Sequence, residues 1–148
     1  SEDKAELLAR GIQQFDKDAQ VDIMDVAMTP KAAMSANYIS QTSDVDNEDL
    51  LDADAFLFPT TGTLSVFEKH FLNNWDEEPL RGKKYGVLMS SKTTFDGPNA
   101  TEGHTLDNKL IERLAQQGLS NFPVVVERTN NDQEIEKAGE RFMKSVFP

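Results

Sequence analysis

The spacing of apolar residues along this chain switches repeatedly, from short unbroken runs to recurrences every three or four positions, and each switch marks a strand giving way to a helix. The clearest one lies between Asp54 and Trp75. Ala55, Phe56, Leu57 and Phe58 form a continuous apolar run, Pro59 breaks it, and a small hydroxyl-rich stretch of Thr60, Thr61, Gly62 and Thr63 follows. From there Leu64, Phe67, Phe71, Leu72 and Trp75 recur at helical spacing, so the segment reads as strand, loop and helix, half of a βαβ unit. In an open α/β sheet the loop at a strand's C-terminal end is where ligands bind.

The rest of the chain alternates in the same way. Ala5, Leu8, Ile12 and Phe15 share one face of an opening helix that Ser1 or Asp3 caps. Val21, Ile23 and Val26, interleaved with Asp22 and Asp25, suggest an edge strand or a strand end, terminated by Thr29-Pro30. Residues 31–42 predict a long connection with one helical turn, and Ser43 with Asp46 a capped short helix that feeds the strand at Asp54. After Trp75 a polar link leads to a second strand, Tyr85 to Met89. It opens into Ser90 to His104, fifteen residues in which only Phe95 and Ala100 are apolar. Structureless loops of that length are usually functional. Leu106, Leu110, Ile111 and Leu114 mark a helix that Gly118 ends, Val124 to Val126 a β-branched strand, and Asn130-Asn131-Asp132 a turn and cap. Ile135, Ala138, Phe142, Met143 and Val146 form the apolar face of a last helix.

Strands alternating with helices predict an α/β sandwich with a mostly parallel sheet, since parallel neighbours need helical crossovers. The 148 residues suit a single domain spanning 1–148. Pro59–Thr63 and Ser90–His104 both follow strands directly, so in a parallel sheet they lie on one edge and can frame a common cleft.

Charge narrows the partners. The chain has 15 Lys and Arg against 26 Asp and Glu, a formal net charge of -11, which disfavours nucleic acid and anionic membrane surfaces. Such acidity keeps a surface solvated; a basic partner or adaptation to salt would also account for it. No apolar run approaches the ~18 residues of a membrane span, so membrane insertion is not expected. With no cysteine, disulfides, thiolate metal sites and a cysteine nucleophile are excluded, and the cytoplasm or another reducing compartment is the expected location. Ser90-Ser91 lacks the sharp Gly-x-Ser-x-Gly turn of hydrolases. His104 with Asp96 and Glu102 supplies one histidine on one loop, too little to predict a metal centre.

The segments EDLLDADAFLFPTTG, FLNNW, LRGKKYGVLMSS, TLDNKLIERLAQQGL and IEKAGERFMKSV together resemble the flavodoxin-like NAD(P)H:quinone oxidoreductases of the tryptophan-repressor-binding-protein type, over roughly residues 1–148. The resemblance implies a flavodoxin-like three-layer sandwich with sheet order 2-1-3-4-5 and FMN at the strand C-termini. It implies that Pro59, Thr60, Thr61, Gly62 and Thr63 flank one side of the flavin ring. Ser90, Ser91, Lys92, Thr93, Thr94, Phe95, Asp96 and Gly97 would hold the other, and His104 would touch flavin or quinone as the catalytic candidate. NAD(P)H would be the electron donor and a quinone the acceptor, in a homo-oligomer or with a protein partner. In that family a strand and a phosphate-binding loop precede the first helix. Residues 1–148 open with Ser1, Glu2, Asp3 and Lys4 where that loop should be ending, so the first strand is expected to be missing or supplied elsewhere. The second loop, TFDGPNATEG, has fewer glycines than its family counterpart. A different class of function, a non-catalytic flavodoxin-like scaffold or subunit that has lost FMN, fits these departures. A third is an acidic one-electron carrier like true flavodoxins.

Overall fold

A computed structural model describes residues 3–25, 43–44, 47–70, 78–91 and 107–148. In chain order the elements are α1 (Lys4–Phe15), β1 (Met24–Asp25), β2 (Ser43–Asp44), α2 (Asn47–Asp52), β3 (Ala55–Phe58), α3 (Thr61–His70), β4 (Lys84–Ser90), α4 (Asn108–Gln116), β5 (Ser120–Asn121), β6 (Val124–Val126) and α5 (Asp132–Val146). Side-chain caps fix where helices start. Asp3 accepts from the Ala5 amide, Asp107 from Lys109 and Asn131 from Glu134. Gly118 ends α4 at φ +86°, and a Cβ there would fall 2.8 Å from the Arg81 backbone, so glycine is needed for both conformation and space.

β3, β4 and the β5–β6 line form a parallel sheet in that order. Ala55 to Phe58 pair with Lys84 to Val87, and Leu88 to Ser90 pair with Val124 to Val126. β5 pairs with β4 at Lys84↔Ser120 and Tyr85↔Asn121. The β4–β5 and β4–β6 pairs share one offset of 36 residues, so β5 and β6 are one strand, at the edge of the sheet among the described residues. It is interrupted at Pro123, which has no amide hydrogen to donate, although Phe122 N still bonds to Tyr85 O at 2.7 Å.

Successive residues of β4 go to opposite faces. Tyr85, Val87 and Met89 join Phe58, Leu64, Phe67, Leu110 and Leu114 in one core, under α3 and α4. Leu88 joins Val124, Val126, Leu7, Leu8, Ile135, Ala138, Phe142 and Val146 in the other, under α1 and α5. β3 divides likewise, Phe56 and Phe58 to the first core, Ala55 and Leu57 to the second. Burial on both faces is why these strands are unbroken apolar runs. The result is the expected three-layer α/β sandwich, consistent with a flavodoxin-like fold. The β6 edge is blunted by Pro123 and by Arg141, whose guanidinium donates to Val125 O at 2.9 Å. Among the described residues no strand pairs with the outer side of β3.

Several boundaries differ from the sequence reading. Ser43 does not cap a helix: it belongs to β2, which pairs in parallel with β1 through Met24↔Ser43 and Asp25↔Asp44, and α2 begins only at Asn47. Of the run expected over 21–28, the described part of β1 is Met24–Asp25, residues 21–23 lie ahead of it, and 26–42 lie outside the described residues. The end of α2 is held from outside, Lys83 Nζ donating to Leu51 O at 2.9 Å and to Ala53 O. Among the described residues no helix is long and apolar enough to cross a membrane.

Tyr85 is 1% exposed, and its hydroxyl has no hydrogen-bond partner among the described residues. Burial pushes its pKa from 10.0 up to about 12. The folded state holds the phenol proton where the unfolded chain loses it, so this stability is whole below the unfolded pKa and is lost as pH rises through the folded one. The loss is expected to be on the order of 2–3 kcal/mol. Tyr85→Phe is expected to abolish the alkaline loss and to shift neutral-pH stability by less than about 1 kcal/mol, because an unpaired buried hydroxyl offers no compensating bond. Urea titrations at about pH 8 and about pH 11.5 measure both effects.

Candidate functional site

β3 and β4 are parallel neighbours, so the chain leaves both at the same edge. Phe58 lies opposite Val87, and β4 runs three residues further, to Ser90. At about 3.3 Å per residue that extension is about 10 Å. The turn after β3 therefore lies beside the last stretch of β4.

That turn is shorter than the sequence suggests. The Thr60 hydroxyl accepts from the Thr63 amide at 3.0 Å and lies 2.8 Å from the Thr63 hydroxyl, while Leu64 N bonds to Thr60 O at 3.3 Å. Thr60 is thus the N-cap, and Thr61, Gly62 and Thr63, read as loop from their composition, are the first turn of α3. Apolar periodicity starts only at Leu64, the first buried residue of α3; Gly62 is exposed and Thr61 and Thr63 are half-buried. The amides of Thr61 and Gly62 have no acceptor among the described residues, as expected for helix positions ahead of the first intrahelical bonds. Among the described residues, a Cβ added at Gly62 would meet only Thr60 Oγ1, at 3.7 Å. This edge accordingly combines small side chains, two donor amides at the positive end of a helix, and open space above a glycine.

Two substitutions test that description. Thr60→Ala is expected to cost about 1 kcal/mol through loss of the cap. Gly62→Ala should be neutral or stabilise by up to about 1 kcal/mol, since the added methyl has room and alanine favours the helix. Thermal melts of the two variants against the parent decide both.

On the β4 side, Ser91 is exposed and its amide bonds to Val126 O at 2.7 Å, so the second loop starts tied to the edge strand. The structure thus brings Pro59–Thr63 and Ser90–Ser91 to one edge. Lys92, Thr93, Thr94, Phe95, Asp96, Gly97 and His104 lie outside the described residues. Where the chain is described again, Asp107 caps α4, its carboxylate accepting from Lys109 N at 2.9 Å. The N-termini of α3 and α4 therefore stand at the same edge, because both helices run back along one face of a parallel sheet.

Between these helices lies a feature missed in the sequence. Glu68 is 3% exposed, the one buried charged residue among those described, and one of its carboxylate oxygens accepts from Nε of Arg113. The other, Oε2, is buried without a hydrogen-bond partner among the described residues. The signal was present in the spacing: Glu68 follows Leu64 by four and Phe67 by one, which puts a carboxylate on the apolar stripe of α3.

An open groove of about 410 Å³ lies between the β6 edge and α5, lined by Val125, Val126, Glu127, Glu134, Lys137, Glu140 and Arg141. None of the sequence-predicted site residues lines it. Among the described residues no group of three His, Cys, Asp or Glu is placed to hold a metal. No family model matches the chain, and no curated protein is significantly similar to it.

Proposed function

We propose that this chain is an FMN-binding flavodoxin-like protein acting as an NAD(P)H:quinone oxidoreductase. The observation that carries the reading is the junction of β3 and α3 beside the end of β4. There the amides of Thr61 and Gly62, without acceptors among the described residues, and the side of Gly62 left open by those residues suit a flat, carbonyl-bearing ring system. FMN, when bound, supplies hydride transfer between NAD(P)H and a quinone. On this reading the chain's own part is to bind and orient. Pro59, Thr60, Thr61, Gly62 and Thr63 flank one side of the ring; Ser90 to Gly97 approach from the other, and His104 meets flavin or quinone.

The test is an FMN titration of the purified chain, followed by quenching of flavin fluorescence. Saturable, stoichiometric binding is expected, weakened about tenfold or more in Gly62→Leu, whose side chain would occupy the open side. Absence of binding by a demonstrably folded chain overturns the proposal.

A second reading, a non-catalytic scaffold or subunit within a larger assembly, is favoured by β3. It is a wholly apolar strand with no paired strand on its outer side among the described residues. Light scattering distinguishes it: this reading expects association of a flavin-free chain.

A further inference from the structure

The Glu68–Arg113 pair is poorly arranged for stability alone. Glu68 has surrendered its hydration, with its side chain 4% exposed, whereas Arg113 keeps half of its own in water. Among the described residues only one carboxylate oxygen is paired. A buried ion pair of this kind seldom repays its desolvation, and apolar residues of similar size would fill the layer at least as well. What the pair supplies is selectivity. The surrounding contacts of Leu64, Phe67, Leu110 and Leu114 are non-directional and tolerate sliding of one helix past the other. A guanidinium–carboxylate bond forms at one register only, and any slide leaves a carboxylate buried and unpaired.

We propose that Glu68 and Arg113 are positioning residues that lock the register of α3 against α4, and so fix the separation of the two helix N-termini at the sheet edge. Glu68 lies seven residues from Thr61, about 10 Å along the helix, and a helix this short moves as a rigid rod. A slide at Glu68 therefore displaces the amides of Thr61 and Gly62 by the same amount. The consequence for flavin affinity rests on the reading of that edge as the FMN site; the lock itself does not.

The test compares the parent chain with a Glu68→Met/Arg113→Met double variant, Arg113→Met and Arg113→Lys. The double variant is expected to keep the parent's unfolding midpoint while Arg113→Met falls below it, since only the single change leaves a buried carboxylate alone. Without ligand, amide resonances of Thr61–Thr63 and Asn108–Leu110 should split or broaden in the double variant. They should do so to a lesser degree in Arg113→Lys, which keeps the charge but loses the planar guanidinium and its Nε donor. Sharp, parent-like resonances in both overturn the lock, and Arg113→Lys decides alone if the double variant does not fold. FMN binding should weaken about tenfold or more in the double variant, while Arg10→Met, which breaks the exposed Arg10–Glu136 pair, leaves it unchanged. Equal affinity in the parent and double variant overturns the consequence for flavin binding, and the ligand-free resonances decide the lock. If the parent chain binds no FMN, the functional reading fails and the ligand-free resonances alone decide the lock.

Discussion

A methyl group added at Gly139 is expected to destabilise the protein by about 3 kcal/mol, despite alanine being the better helix former by about 1 kcal/mol. The reason is how closely α1 and α5 cross. A Cβ on Gly139 would stand 2.2 Å from Leu8 O, and one on Gly11 would stand 1.8 Å from Glu136 O. In each case the obstacle is the backbone of the opposite helix, which cannot rotate away as a side chain can. Relief requires the helices to separate, and that opens the core shared by Leu7, Leu8, Ile135, Ala138 and Phe142. Gly11→Ala is expected to behave similarly. The double variant should cost less than the sum, because one separation relieves both clashes. Chemical denaturation of the two single variants and the double checks the magnitude and the coupling. A change under about 1 kcal/mol at either site would mean the helices do not meet at these glycines.

Phe67→Ala should cost still more, about 4 kcal/mol, the range for deleting a buried phenyl ring. Phe67 is 1% exposed, and its ring lies 5.7 Å from Phe56 and 5.0 Å from Phe58, with Phe58 in turn 6.5 Å from Tyr85. It is a contact through which α3 holds β3, beside Leu64, and β3 is joined to the rest of the sheet by one neighbour only among the described residues. Loss of the ring is therefore expected to loosen the β3–α3 turn as well as lower global stability. Hydrogen exchange should report faster opening at Thr63 and Leu64 than at Val124 or Val126. Phe15→Ala is the control: its ring is 42% exposed with Lys144 Nζ 5.5 Å from its centroid, and its removal should cost less than about 1 kcal/mol. Equal losses from the two substitutions would contradict the packing described for α3.

The candidate site was legible as a place rather than as a shape. Pro59 after an apolar run signalled where β3 ends, and a parallel sheet then put that end next to the end of β4. The length of the turn was not legible, because Thr61, Gly62 and Thr63 have weak helix preference and no apolar spacing. The Thr60 hydroxyl, bonded to Thr63 N, is what makes them helical. Ser43 failed the other way. A residue type that favours caps was taken into a strand by pairing with Met24, a partner distant in sequence.

What the sequence determined by itself was everything carried by local pattern. The alternation of strand and helix follows from apolar spacing, the caps at Asp3 and Asn131 from their residue types, and the end of α4 from Gly118. The two-sided burial of β3 and β4 follows from their unbroken apolar runs. Only the tertiary structure decided which residues meet across the chain: Gly11 and Gly139 against opposing backbones, Arg141 on the β6 edge, and Glu68 with Arg113 between α3 and α4. Local pattern reflects the preferences of a few neighbouring residues, whereas these contacts depend on packing directions and registers that exist only once the layers have assembled.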